Sequence, residues 1–167
     1  MRGSNGAAHM DSNLAEYWRE LLPEQFPDLK EGVNFTQTSP VDPNYNCLSW
    51  AVALNFSAFK NEIGCYWPWK HIPDDTVEGW EAVLSLFGFV RCESSENRPG
   101  YEKAAILEDE NGDLHACRQG RTGKWKSKLG ELGPDIDHDD LHCLKNPYGD
   151  VVRIMERQRP DWLAENE

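Results

Sequence analysis

A pair of strand-like stretches on either side of an Asn-Gly turn is the feature that most restricts how this chain can fold. Residues 103–108 and 114–119 are patterned as β-strands, and Asn111-Gly112 lies between them. Asn-Gly favours a two-residue type I′ turn, because both residues tolerate positive φ. Such a turn places His115 opposite Glu108. Side-chain alternation then predicts one face of the hairpin that also includes Glu102, Ala104, Ile106 and Cys117.

Helical patterns come before this hairpin. Asn13 is the predicted N-cap of a first helix, and Cys47 lies in the first turn of a second, since positions 47, 50, 51 and 54 keep helical spacing. Asp75 and Glu78 predict the start of a third helix, which ends at Gly88. Short strands follow the hairpin. Helices first and an antiparallel meander afterwards predict an α+β domain with its N-terminal helices packed on the sheet.

Length and charge exclude several classes of protein. A chain of 167 residues is typical of one domain. Asp and Glu number 29 against 17 Lys and Arg, a formal net charge of -12, which repels phosphate backbones and argues against a nucleic-acid partner. No apolar run approaches the roughly 20 residues that a membrane span needs. We therefore predict a monomer without nucleic-acid or membrane partners.

The cysteines indicate a reducing compartment. Their number is five, which is odd, and none forms a Cys-x-x-Cys pair. Free thiols are typical of the cytoplasm, so we predict a cytoplasmic protein, while a secreted effector stays an open alternative. Residues 1–9 are typical of a vector-derived tag and are set apart from the fold.

Cys47 and His115 are the residues whose positions suggest chemistry. A thiol at a helix N-terminus lies at the positive end of the helix dipole, which favours the nucleophilic thiolate. A histidine on a facing strand could act as its base. The alternative for Cys47 is a small buried side chain on the same helix face as Trp50, and the alternative for His115 is a structural histidine.

Two other groups of residues could bind a metal or a substrate. If residues 138–142 were helical, His138 and His142 would share a face and could hold a divalent metal with Asp137 or Cys143. A solvated acidic loop is the alternative there, and we predict no metal and no cofactor. The aromatic residues of 67–69, with Trp50, Trp80 and Trp125, could line a substrate groove or fill the core.

Several motifs resemble known families. Asn46-Cys47-x-x-Trp50-Ala51 and His115-Ala116 are similar to the papain-like superfamily, in which a cysteine opens a helix and a histidine begins a strand. The hairpin is similar to that of NlpC-type peptidases. The chain from about residue 40 to 157 resembles more closely a bacterial domain family of uncharacterised function. The shared motifs lie at 46–51, 100–103, 115–119, 125–130, 135–138 and 148–151.

The superfamily resemblance implies a fold and a set of roles. It implies a single papain-like α+β domain over residues 10–167, with Cys47 as nucleophile and His115 as base. Glu108, Glu102, Asp135 and Asp137 are the candidates, in that order, to orient the imidazole. Asn46, Trp50 and Gln119 are assigned to the oxyanion and substrate site.

The chain also departs from both layouts. In the NlpC-type layout the principal histidine falls where this chain has Glu102 and Lys103, and the oxyanion glutamine typical of the papain-like layout is missing before Cys47. The expected function is a thiol-dependent hydrolase or transferase acting on an amide or isopeptide bond of a peptide or protein. The alternative is a catalytically inactive papain-like domain that binds a protein partner through an acidic, Trp-rich surface.

Overall fold

One antiparallel β-sheet occupies the centre of the protein. The computed structural model describes residues 18, 20–54, 59–60, 75–130 and 133–163, and within them the sheet has seven strands. These are β1 (Phe35–Gln37), β2 (Val90–Cys92), β3 (Tyr101–Glu108), β4 (Leu114–Gln119), β5 (Trp125–Lys128), β6 (Asp135–His138) and β7 (Asp150–Gln158). Their order is β1-β6-β5-β4-β3-β7-β2, so β3 to β6 form a meander and β7 pairs with the other side of β3.

The helices are short. They are α1 (Cys47–Ala51), α2 (Val77–Leu86), a 3₁₀ helix (His142–Leu144) and α3 (Lys145–Tyr148), and residues 20–25 are also helical. Thr76 caps α2, because its hydroxyl accepts a hydrogen bond from the Gly79 N–H at 3.0 Å. Gly88 follows α2 with a φ of 94°, as predicted for a residue just past a helix end. The predicted start of the first helix, at Asn13, lies outside the described residues.

The expected papain-like α+β fold is wrong. The described structure is a seven-stranded antiparallel sheet with a few short helices, not a set of N-terminal helices packed on a sheet. The helix that begins at Cys47 has only five residues, because the chain reaches positive φ at Ala53, two residues after its end. The helical spacing of this short apolar run therefore predicted a longer helix than the chain forms.

Both faces of the sheet are buried. In β3 the run Ala104-Ala105-Ile106-Leu107 is fully buried, and alternate residues belong to two separate clusters. Ala105, Leu107 and Cys117 pack with Leu22, Phe26 and Leu144, and we call this side the His115 face. Ala104, Ile106 and Ala116 pack with Leu48, Ala51 and Trp80, and we call this side the Cys47 face. Burying a side chain such as Leu107 or Ile106 contributes about 2 kcal/mol, so both coverings stabilise the sheet.

The hairpin exists, but its register differs from the prediction by one residue. Five residues, 109–113, connect β3 to β4, and the Asp109 carboxylate accepts hydrogen bonds from the N–H groups of Asn111 (2.8 Å) and Asp113 (3.0 Å). Leu114 therefore pairs with Glu108, and His115 pairs with Leu107. Because the side-chain period of a strand is two, the shift moves His115 away from the face of Glu108 and Ile106.

No helix within the described ranges is long and apolar enough to cross a membrane.

Candidate functional site

Asn46 caps the helix that Cys47 begins. Its side-chain oxygen accepts hydrogen bonds from the backbone N–H groups of Ser49 (3.1 Å) and Phe59 (3.2 Å), and its amide nitrogen donates to the Phe59 carbonyl (2.8 Å). The Ser49 hydroxyl in turn accepts from the Asn46 N–H, which completes a capping box. Asn46 is thus engaged in fastening α1 to residue 59, and the oxyanion role assigned to it stays a prediction.

The thiol of Cys47 is enclosed although the residue as a whole is half-buried. Burial raises its pKa to about 11, because the low-dielectric surroundings disfavour the thiolate. A hydrogen bond from the Ala116 backbone and the charge of Lys128 lower the pKa, but their effect is smaller than that of burial. The low pKa expected from a helix N-terminus is therefore absent, and the thiol is protonated at neutral pH.

His115 does not face the Cys47 helix. It lies on the His115 face with Leu107 and Cys117, whereas Cys47 packs with the cluster on the opposite face. The prediction that the surface carrying His115 packs on the Cys47 helix is wrong, and the reason is the five-residue connection between β3 and β4. Among the described residues, no hydrogen bond joins the Cys47 thiol to the His115 imidazole. The side-chain partner of His115 Nε2 is the Ser127 hydroxyl.

A chain of buried polar side chains runs across the His115 face. His115 Nε2 lies 3.1 Å from Ser127 Oγ, Ser127 Oγ lies 2.8 Å from His138 Nε2, and His138 Nδ1 lies 2.8 Å from the Asp140 carbonyl oxygen. All three side chains are at most 1 % exposed. The His115 ring also stacks on Tyr148 with centroids 3.8 Å apart. We call His115, Ser127 and His138 the polar relay.

The hydrogen bonds fix the tautomers of the polar relay. A carbonyl oxygen can only accept, so His138 carries its proton on Nδ1 and uses Nε2 as an acceptor. Ser127 then donates its hydroxyl proton to His138 and accepts from the Nε2–H of His115. Burial lowers the pKa of His115 to about 3 and that of His138 to about 4. Both imidazoles are therefore neutral at physiological pH.

His138 and His142 are not neighbours on one helix. His138 is buried in β6, whereas His142 is exposed at the start of the 3₁₀ helix. Cys143 is buried beside His138, with Sγ 3.6 Å from Nδ1, and its thiol donates to the Asp140 carbonyl oxygen at 3.0 Å. Among the described residues no three His, Cys, Asp or Glu side chains are grouped so that they could hold a metal ion.

Glu102 lies on the Cys47 face and forms a buried ion pair. Its Oε1 is 2.5 Å from the guanidinium of Arg157, and the two side chains are 0% and 4% exposed. Arg157 also donates to the Phe87 carbonyl at 2.9 Å. A pair of this kind typically costs several kcal/mol to break, so the interactions of Glu102 are structural. Nothing in the described contacts brings it to His115.

The other acidic candidates also lie away from His115. Glu108 is half-buried at the end of β3 and shares the side of Leu114. Asp135 accepts a hydrogen bond from the Tyr45 hydroxyl at 2.5 Å, and burial raises its pKa. Asp137 forms an ion pair with Lys126 at 3.0 Å. The second nitrogen of His115 therefore has no carboxylate partner among these four.

Trp50 and Gln119 lie on different sides of the sheet. The Trp50 ring packs between Tyr45 (centroids 5.4 Å apart) and the Arg118 guanidinium (4.7 Å), on the Cys47 face. Gln119 pairs with Trp125 on the other side, and its amide nitrogen donates to the carbonyl oxygens of Ser95 and Gly123, both at 3.1 Å. The two residues therefore do not line a single substrate site, and Gln119 instead ties two loops together.

Sequence reasoning missed Ser127 and Tyr148. Alternation along β5 puts Ser127 on the same side as Trp125, and this much could be read from the sequence. That His115, Ser127 and His138 meet depends on the pairing of β4, β5 and β6. Tyr148 lies in a segment whose sequence, Asn146-Pro147-Tyr148-Gly149, predicts a turn, but no local pattern shows that this turn stacks on His115. Trp67 and Trp69, part of the predicted aromatic groove, lie outside the described residues.

The chain belongs to a family that is described as a domain of unknown function, DUF7689, whose model matches residues 36–156. The predicted resemblance to an uncharacterised family is thereby confirmed at that level. No curated protein and no solved structure matches the chain. Nothing in these comparisons links the family to the papain-like superfamily.

Proposed function

We propose that this domain is a binding module that receives a cationic segment of a protein partner in an acidic cleft. The observation that carries the proposal is an open cleft of about 530 Å³ on the His115 face, between the loop after β2, the turn between β4 and β5, and the segment after β6. Its lining includes four carboxylates, those of Glu93, Glu96, Asp139 and Asp140.

The cleft combines this acidic rim with an apolar floor. Trp125, Leu141, Val151 and Ile154 contribute the apolar surface, and Val151 is 39% exposed. A lysine or arginine side chain has the same two parts, an apolar stem and a charged head. Its stem would lie on the floor while its head meets the carboxylates of the rim.

The charges on the rim are available to a partner. Glu93 and Glu96 are exposed in the loop after β2. Asp139 makes only a loose surface ion pair with Lys124, 3.7 Å between the charged atoms, and such exposed pairs contribute little. The net charge of -12 adds long-range attraction for a basic partner.

The environment of Cys47 supports binding rather than thiol chemistry. Its thiol has a pKa raised to about 11, and His115, the predicted base, belongs to the polar relay on the opposite face with a pKa lowered to about 3. A nucleophile of this kind needs a base within hydrogen-bond reach and a thiolate at neutral pH. Neither condition is met by the described contacts.

A labelled amphipathic peptide of Lys and Leu tests this proposal by fluorescence anisotropy at about 0.15 M salt, where distant charges are screened. We expect the Glu93→Gln/Glu96→Gln double variant to bind the peptide at least about tenfold more weakly. The matched control is Glu110→Gln/Asp113→Asn, which removes two exposed charges from the turn between β3 and β4. Equal weakening in both variants, or no saturable binding by the parent protein, would contradict the proposal.

A further inference from the structure

A lysine ammonium group lies against the thiol of Cys92 near one edge of the sheet. Cys92 ends β2 and Lys103 is in β3, and β7 runs between them. The strand partner of Cys92 in β7 is Ile154, and that of Lys103 is Glu156. Strand partners share a face of the sheet, so both side chains lie on the His115 face. There Lys103 Nζ donates a hydrogen bond to Cys92 Sγ at 3.6 Å.

The surroundings of Lys103 hold its nitrogen in this position. The side chain is 5% exposed, and Nζ also donates to the Glu156 carboxylate at 2.9 Å. Glu156 is shared with Arg98, whose guanidinium is 2.9 Å from the other carboxylate oxygen. The carboxylate can therefore accept a proton from Nζ and still keep a cationic partner. An amine held beside a sulfur atom reacts far faster than one that must diffuse to it.

The Cys92 thiol is the most accessible of the thiols that the structure describes. Cys117 and Cys143 are buried, and the Cys47 thiol is enclosed. Cys92 is half-buried, and its thiol donates to the carbonyl of Ser94, at 3.6 Å, in the exposed loop that follows β2. The neighbouring ammonium stabilises the negative charge that sulfur carries when it attacks an oxidant. Cys92 is therefore the thiol on which a small peroxide should act first.

We infer that oxidation joins Cys92 to Lys103 through a reversible sulfur–nitrogen bond. A hydroperoxide first converts the thiol to a sulfenic acid and is itself reduced to an alcohol, or to water in the case of hydrogen peroxide. The ammonium of Lys103 passes a proton through Glu156 to solvent, and the neutral amine attacks sulfur. The S–N bond forms as the sulfenic oxygen leaves as water. The product is lighter than the reduced protein by two hydrogen atoms, because the oxidant has taken up two electrons and two protons.

The bond protects Cys92 and ties two strands together. A sulfenic acid that stays free reacts with more peroxide to the irreversible sulfinic acid, whereas thiols reopen a sulfur–nitrogen bond. The bond also connects β2, the last strand of the sheet, to β3 across β7. Neither Cys92 nor Lys103 lines the acidic cleft, so this inference does not depend on the proposed binding function.

Peptide mass spectrometry after treatment with hydrogen peroxide tests the inference. Trypsin cleaves after Lys103 in the reduced protein, and the bond should block this cleavage. Residues 92–118 should then appear as one fragment that is lighter by two hydrogen atoms. Iodoacetamide added after unfolding should label Cys117 in this fragment but not Cys92, which distinguishes the bond from a disulfide between the two cysteines. Dithiothreitol should restore both the Cys92 thiol and the cleavage.

Lys103→Arg is the decisive variant, because it keeps a cation beside Cys92 but replaces the nucleophilic amine with a guanidinium. We expect it to lose the lighter fragment and to accumulate sulfinic acid at Cys92. Lys126→Arg is the matched control, since Lys126 pairs with Asp137 at 3.0 Å in another part of the sheet, and it should behave like the parent protein. Equal amounts of sulfinic acid in the parent and in Lys103→Arg would refute the inference. So would a lighter fragment that persists in Lys103→Arg, or a Cys92 that stays unmodified in excess peroxide.

Discussion

Acidification should destabilise this protein well before its carboxylates titrate, because His115 and His138 are buried as neutral imidazoles. Their pKa values fall from the ordinary 6.5 to about 3 and about 4 in the folded state. At a pH between these values and 6.5, each histidine binds a proton in the unfolded chain but not in the folded protein. The stability that the two groups provide is therefore complete above pH 6.5 and is lost as the pH falls towards 4.

The magnitude follows from the two titrations. At about pH 5 each unfolded histidine is almost fully protonated, which favours unfolding by about 2 kcal/mol per group relative to pH 7.5. The two histidines together should therefore lower the free energy of unfolding by about 4 kcal/mol. That is a large part of the 5–15 kcal/mol typical of a domain. A proton on His138 Nε2 would also remove the acceptor of the Ser127 hydroxyl.

Urea unfolding followed by tryptophan fluorescence between about pH 7.5 and pH 5 measures this loss. His138→Gln should reduce the pH dependence of the unfolding free energy by about half, whatever it does to the stability at neutral pH. His142→Gln is the matched control, because His142 is exposed in the 3₁₀ helix, and it should leave the slope unchanged. An unfolding free energy that is flat over this range, or a His138→Gln slope equal to that of the parent, would refute the reasoning.

Two further predictions concern the thiols and the turns. Iodoacetamide at neutral pH should label half-buried Cys92 ahead of Cys47, because the Cys47 pKa is raised to about 11. Mass spectrometry measures the order of labelling, and labelling of Cys47 first would support the thiol-enzyme interpretation instead. Gly149→Ala should destabilise the protein by more than about 3 kcal/mol in thermal unfolding, because φ is 87° and the new Cβ would lie 2.0 Å from the Glu108 carbonyl oxygen. Gly112→Ala, with a φ of 83° and open space around it, should cost only about 1–2 kcal/mol, and equal losses would show that the close approach does not matter.

Local sequence determined the elements whose signals lie within a few residues of one another. The hairpin of β3 and β4 follows from two strand-like stretches around Gly112, and the end of α2 follows from the glycine at 88. These patterns succeed because a turn or a cap is satisfied by its own neighbours in the chain. The membership in a family without an assigned function was also recognisable from short motifs spread over most of the chain.

The candidate site could not be read in the same way, because its geometry depends on distances between strands. The connection after Glu108 places Leu114, not His115, opposite Glu108; this one-residue change of register gives His115 the partner Leu107 and so separates it from Cys47. Whether a histidine meets a thiol or a serine is decided by register and by the order of strands across the sheet. Only the tertiary structure brought His115, Ser127 and His138 together, since the residues that surround a buried group come from segments far apart in the sequence.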